Sequence, residues 1–155
     1  MSTRIALITV LLACPAWTAQ AAELITAPAL TPPLASQAKP ADEAFALTTA
    51  VEADGDLMLV WEIQPAFYLY RKSLKLEHAG VDLLPALELP EAEQVTDEFF
   101  GESEVYFERL LARLPAAALN ATAGTTLELQ LTYQGCLEDI YCYPPQYKTV
   151  SVSLP

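Results

Sequence analysis

The chain has 155 residues, 53% of them hydrophobic, with 20 acidic against 8 basic side chains and a net charge of −12. One domain with a real core fits that length and composition, and a disordered polymer does not. A chain this acidic repels phosphate backbones, which attract proteins through clusters of Lys and Arg, so nucleic acid is excluded as a partner.

The longest apolar run, Ile5 to Ala13, is nine residues, far short of the roughly 20 that a membrane-spanning helix needs. It follows Arg4 and leads into Ala19-Gln20-Ala21, small residues at the positions a signal peptidase reads. Residues 1–21 are therefore expected to be a secretory signal peptide. A second processing pattern lies inside it: Leu11-Leu12-Ala13-Cys14 has the form of a bacterial lipoprotein site, which would anchor the chain through lipid on Cys14. It ranks second, because the hydrophobic region before Cys14 is short and Pro15 follows at once. From residue 22 to Pro40 the chain carries Pro28, Pro32, Pro33 and Pro40 among Ala, Ser and Thr without apolar periodicity, the composition of a flexible leader. Residues 41–155 are left as the folded domain.

Within that domain the pattern has period two. Ala44 to Ala50 is a short strand candidate, and Leu57, Leu59, Trp61 and Ile63 alternate with more polar neighbours to form one apolar strand face. Tyr68 to Arg71, Leu74 to His78, Val105 to Leu110 and Lys148 to Leu154 follow, separated by turn residues such as Asp54-Gly55, Ala79-Gly80 and Ala123-Gly124. A second clear alternation, Leu127, Leu129, Leu131 and Tyr133, runs into Gly135-Cys136 and places that cysteine at a strand end. About seven short strands predict an all-β sandwich. The only helical alternative, Arg109 to Leu119, is rich in Leu and Ala but is interrupted by Pro115.

Three cysteines become two, Cys136 and Cys142, once Cys14 leaves with the signal. In an exported protein two cysteines separated by five intervening residues can pair across a hairpin or wide loop, and a disulfide is expected. Its role is open at this point. As a staple, so short a loop contributes about 2 kcal/mol in the chain-entropy model, a modest gain for a domain able to bury its own core. As a redox centre, it would carry Glu138 and Asp139 within the loop. At about 7 Å a carboxylate raises the energy of a thiolate by roughly 0.6–2.4 kcal/mol, which makes the thiols sluggish until a docking partner changes their surroundings. His78 is the only histidine and is read as an exposed strand residue; it supports neither a catalytic triad nor a metal site. No metal and no cofactor are expected. Asn120-Ala121-Thr122 fits a glycosylation triplet that often arises by chance, and is given no function.

Four segments in order resemble the N-terminal, or alpha, domain family of the bacterial thiol:disulfide interchange protein DsbD. They are Pro40-Ala41-Asp42-Glu43-Ala44-Phe45; Trp61-Glu62-Ile63 followed by Tyr68-Leu69-Tyr70-Arg71-Lys72; Asp97-Glu98-Phe99-Phe100-Gly101-Glu102-Ser103-Glu104; and Tyr133-Gln134-Gly135-Cys136 with Cys142-Tyr143-Pro144-Pro145. The resemblance implies an immunoglobulin-like β-sandwich in the periplasm. Its paired cysteines would accept electrons from a thioredoxin-like reductase domain and pass them to disulfide isomerases or cytochrome-maturation thioredoxins. It also implies that Cys142 forms the mixed disulfide and Cys136 resolves it. Asp97, Glu98, Phe99, Phe100 and Gly101 match the family's cap loop, with Phe99 placed over the sulfurs and Phe100 standing where the family often has Tyr. Tyr68 and Tyr70 match aromatic positions flanking the site, which Glu138, Asp139, Tyr141 and Tyr143 border along the cysteine loop. Full members continue into a membrane domain and a thioredoxin-like domain. This chain is thus expected to be either a piece of such a protein or a carrier docking to a separate membrane electron transporter. The competing reading is a non-catalytic exported interaction module with a structural disulfide.

Overall fold

The computed structural model describes residues 39–155. The expected signal peptide, the leader as far as residue 38 and the alternative lipidation at Cys14 lie outside the described residues.

After one helical turn, α1 (Ala41–Ala44), the chain forms β1 (Phe45–Val51), β2 (Leu57–Ile63), β3 (Phe67–Tyr70), β4 (Lys75–His78) and β5 (Val81–Asp82). Next come β6 (Glu93–Asp97), β7 (Gly101–Tyr106), β8 (Arg109–Leu114) and a second helical turn, α2 (Ala116–Leu119). The chain then completes β9 (Thr126–Tyr133), β10 (Gly135–Leu137), β11 (Tyr141–Cys142) and β12 (Gln146–Ser153). The strands form three sheets, ordered β1-β2-β8, β12-β9-β4-β5 and β11-β10-β3-β7-β6.

The first two sheets share one core. Alternation along β2 buries Leu57, Leu59, Trp61 and Ile63, and alternation along β9 buries Leu127, Leu129, Leu131 and Tyr133. Each large side chain taken out of water contributes about 1.5–3 kcal/mol. The Trp61 and Tyr133 rings meet edge to face at 5.9 Å, which locks strands of different sheets together. The expected all-β sandwich is therefore present, with period two visible as burial.

The local differences have local causes. The single strand expected from Val105 to Leu110 is two strands, broken where Glu108 adopts a left-handed φ of 55°. The segment from Arg109 to Leu119 is mostly strand: β8 pairs along β2, and only the four residues after Pro115 turn helical. Tertiary pairing outweighs the helical propensity of Leu and Ala there. His78 ends β4 half-buried, with Nδ1 2.9 Å from the Glu128 carbonyl oxygen.

Cys136 does not end the β9 strand. Ladder pairing stops at Gln134 and Cys136 sits at the centre of β10, in a different sheet. Gly135 permits the switch, because a Cβ there would stand 2.5 Å from both the Phe45 ring and the Tyr68 carbonyl oxygen. The chain can thus cross close over Phe45 and deliver its first cysteine to the sheet that holds Tyr68 and Tyr70.

Candidate functional site: a disulfide hairpin at a sheet edge

β10 and β11 form a hairpin in which Cys136 and Cys142 are direct cross-strand partners joined as a disulfide. The turn between them, Glu138 to Ile140, uses a left-handed Asp139 with φ 54°. On its other side β10 pairs with β3, which sets Tyr68 opposite Cys136. The Glu138 N–H donates to the Ala66 carbonyl at 2.8 Å and fastens the tip of the hairpin. The two sulfur-bearing residues are not equivalent. Cys136 is 0% exposed, whereas Cys142 on the edge strand is half-buried.

Tyr68 and Tyr70 alternate with Leu69 and so share a strand face, the one that carries the disulfide. Their hydroxyls lie 3.3 Å apart, and the Tyr70 oxygen is 3.3 Å from Cys136 Sγ and 3.9 Å from Cys142 Sγ. Tyr70 donates its one proton to Asp97 Oδ2 at 2.7 Å. Tyr68 therefore donates to Tyr70, and the remaining acceptor capacity of the Tyr70 oxygen faces the sulfurs. A thiol formed on Cys136 by reduction would find its acceptor already in place. Burial, then the hydroxyl of Tyr68 and the carboxylate of Asp97, push the Tyr70 phenol far above its ordinary value, so it stays protonated.

Asp97 closes β6 and opens the turn that the sequence marks as a cap. Its Oδ1 accepts the N–H of Phe99 at 2.8 Å and of Phe100 at 2.6 Å, while its Oδ2 holds Tyr70. Partial burial alone would raise this carboxyl. The bonds from Tyr70, Phe100 and Phe99, with Lys72 nearby, outweigh burial and hold it below the usual carboxylate range. Gly101 ends the turn with φ +70° and nothing within 4 Å of its missing Cβ. Phe99 and Phe100 are 43% and 46% exposed, and Glu98 is exposed beside them. The Phe100 ring stands edge-on to Tyr70 at 5.0 Å, and Lys72 Nζ lies 4.1 Å above it while donating to Ser103 Oγ at 3.2 Å.

The structure thus gathers Cys136, Cys142, Tyr68, Tyr70, Asp97 and the cap turn. It sends Tyr141 and Tyr143 the other way, because residues adjacent to Cys142 on a strand face the opposite side. Tyr143 is buried against Phe45, with ring centroids 5.4 Å apart, and packs on Tyr141 at 4.9 Å. Its hydroxyl donates to the Lys39 carbonyl at 2.6 Å. These two tyrosines brace the hairpin from behind. Glu138 and Asp139 are exposed at its tip, and after burial and Asp97 their charges further raise the Tyr68 phenol. Sequence reasoning assigned no part to Lys72 or to Phe107, whose ring packs on Tyr68 at 5.7 Å. Lys72 lies two residues from Tyr70 in sequence, the one signal available for it, and nothing in the sequence joins Phe107 to Tyr68. Among the described residues no group of three or more His, Cys, Asp or Glu could hold a metal ion.

A β-sandwich with a cross-strand disulfide at a sheet edge, one sulfur-bearing residue buried and the other reachable, defines the class of β-sandwich domains with a redox-active disulfide. Residues 35–154 match the family described as thiol:disulfide interchange protein DsbD, N-terminal, and the chain belongs to it. It is 43% identical over 120 residues to the DsbD of Escherichia coli strain K12, covering 76% of this chain and 20% of that protein. To the Cronobacter sakazakii protein it is 42% identical over 119 residues, covering 77% and 20%. The chain spans about a fifth of the length of the curated relatives it matches.

The crystal structure of the reduced Neisseria meningitidis DsbD N-terminal domain superposes with a TM-score of 0.66 at 30% identity, over 77% of this chain and 92% of that one. The same domain in its complex with the PilB N-terminal domain gives 0.58 at 31%, over 73% and 85%. The fold is that family's immunoglobulin-like sandwich.

Proposed function

We propose that the protein is a periplasmic dithiol carrier in thiol–disulfide exchange, reached through the expected signal peptide. The observation that carries this reading is the asymmetry of the opposed pair, Cys136 fully buried and Cys142 at the open edge. A thioredoxin-like reductase dithiol reduces the Cys136–Cys142 bond, giving two thiols and leaving the reductase oxidised. The Cys142 thiolate then attacks one sulfur of a partner disulfide; a mixed disulfide forms and the partner's second sulfur leaves as a thiolate. Cys136 next attacks Cys142 Sγ, restores the internal bond and releases the partner as a dithiol. Two electrons and two protons have moved, and no cofactor is consumed.

The proposed partners are thioredoxin-fold proteins: a reductase domain upstream, and a disulfide isomerase or cytochrome-maturation thioredoxin downstream. A separate membrane electron transporter would supply the reductase. That the Neisseria relative forms a complex with the PilB N-terminal domain supports a protein partner for this domain. The cap turn, with Phe99 and Phe100, limits stray reaction until a partner displaces it.

Two measurements test the reading. A Cys136→Ala variant incubated with a thioredoxin-fold disulfide should accumulate a mixed disulfide through Cys142, and absence of that adduct would remove the mechanism. Equilibration of the wild type against a glutathione series should reduce it, whereas a staple below about −300 mV resists.

A further inference from the structure

We propose that Lys72 is the counter-charge of the Cys142 thiolate: under the closed cap its ammonium is held on the Phe100 ring, and displacement of that ring frees it to approach the sulfur. This rests on the exchange reading above and specifies which residue sets the sulfur's reactivity once a partner has docked.

Attack on a partner disulfide needs a thiolate, and the charges around Cys142 oppose one. The end of β6 and the cap turn bring Asp97 and Glu98, and the hairpin tip brings Glu138 and Asp139. After burial, the largest cause, Asp97, Asp139 and Glu138 each raise the Tyr68 phenol. Their fields therefore reach the face that carries the disulfide, where they disfavour a negative sulfur. β3 and β11 add only the tyrosines Tyr68, Tyr70 and Tyr141, and β10 adds no charged group. β7 contributes two more acids, Glu102 and Glu104.

The turn Arg71–Ser73, which follows β3, supplies two cations. Arg71 is paired with Glu104 at 3.3 Å. Lys72 has no carboxylate partner among the described residues. Its Nζ donates to Ser103 Oγ at 3.2 Å and lies 4.1 Å over Phe100 and 5.1 Å over Tyr70, three uncharged groups. In a chain with 20 acidic side chains against 8 basic ones, this one cation stands unpaired beside the disulfide.

Tyr70 stands between the charge and the sulfur. The ammonium lies over its ring, and its oxygen is 3.9 Å from Cys142 Sγ, so one phenol ring separates the two. Phe100 is the nearer of the rings under Lys72, and it belongs to the turn that a partner displaces. Once it leaves, the ammonium keeps Tyr70 and Ser103 and gains room on the side that Phe100 covered. A lysine carries its charge on a flexible four-carbon stem, able to follow a thiolate formed across one ring. Closed, the cap holds the charge away and the thiol stays sluggish. Opened, it turns the same charge onto the sulfur.

The experiment uses the reduced chain carrying Cys136→Ala, with Cys136→Ser as a second background should alanine perturb the buried position. Iodoacetamide alkylates Cys142 as its thiolate displaces iodide, and the rate is followed from acid to alkaline pH. The midpoint of that profile reports thiolate stability, and its alkaline plateau reports access. With the cap ring removed by Phe100→Ala, Lys72→Met should move the midpoint up by about 0.6–2.4 pH units, the effect of one unit charge about 5 Å away at effective dielectrics between about 80 and 20. With Phe100 present the same substitution should move it by no more than half as much, since the charge then stands about twice as far off. Lys72→Arg should leave the midpoint in place in both backgrounds. No upward movement in the Phe100→Ala background overturns the proposal, as does equal movement with and without Phe100, which makes Lys72 a fixed, distant charge. A Lys72→Arg midpoint that follows Lys72→Met also overturns it, because the effect then comes from shape. Failure of Cys142 to alkylate at any pH is a different result, for it overturns the exchange reading beneath.

Discussion

Asp97 holds the Tyr70 hydroxyl with one carboxylate oxygen, at 2.7 Å, and the main chain of the cap turn with the other. The same Tyr70 oxygen lies 3.3 Å from Cys136 Sγ. One carboxylate thus joins the cover of the site to the residue touching its sulfur. Asp97→Ala should free the turn and speed reduction of the disulfide by small thiols roughly tenfold, on the scale of lost charge-assisted hydrogen bonds. Stopped-flow reduction by dithiothreitol measures this, and an unchanged rate would mean that the turn does not limit access.

The same carboxylate predicts a pH dependence. Its folded value lies below the ordinary 3.8 because Tyr70 and two amides bond the charged form against the opposing effect of burial. A depressed carboxylate contributes stability that is fully present above the unfolded value and is lost as pH falls through the folded one. Below about pH 3.8 the cap should therefore loosen and the disulfide become more reactive toward a phosphine reductant. The ratio of wild-type to Asp97→Asn rates, taken across that range, removes the reagent's own pH dependence. A flat ratio counts against the link.

Lys72 is the cation of the cap, 4.1 Å over Phe100 and 5.1 Å over Tyr70. Lys72→Met should raise small-thiol reactivity about two- to fivefold, the effect of an exposed cation–π contact, while Lys72→Arg should retain the wild-type rate. Phe100→Ala, which deletes the ring between them, should act in the same direction. Phe99→Ala should also speed the reaction, and a rate equal to wild type would restrict the covering role to Phe100.

Gly135→Ala should destabilise the fold by about 1–3 kcal/mol, the usual cost of overfilling a packed site. The added methyl meets the Tyr68 carbonyl and the Phe45 ring, each at 2.5 Å or a little more, and the carbonyl belongs to a paired strand. Urea denaturation with the disulfide intact measures the loss as a lower midpoint. A midpoint within error of wild type would show that the crossing between sheets has slack.

The parts of this molecule legible in the sequence are those where one residue's neighbours set its fate. Period two along Leu57 to Ile63 and Leu127 to Tyr133 marks the core strands, since a strand with one buried face must alternate. Cys136 and Cys142 could be paired from spacing and compartment alone. Where long-range partners decide, the sequence is silent. β8 has a helical composition but lies along β2, and β6 exists because β7 pairs with it. Tyr141 and Tyr143 border Cys142 in sequence, yet they turn toward Phe45, because the face a residue occupies depends on a register unknown until the hairpin forms. Lys72 gains its place only when Phe100, distant in sequence, folds over it.

The bond from the Tyr143 hydroxyl to the Lys39 carbonyl holds residue 39 against the back of the hairpin, one residue along the chain from Cys142. An affinity handle or fluorophore joined there would load the strand that carries Cys142 and disturb the rates it was meant to record. The Ala123–Gly124 turn lies at the opposite pole, a β9 length of about 23 Å from the hairpin at the usual rise per residue. Immobilisation or dye labelling belongs there.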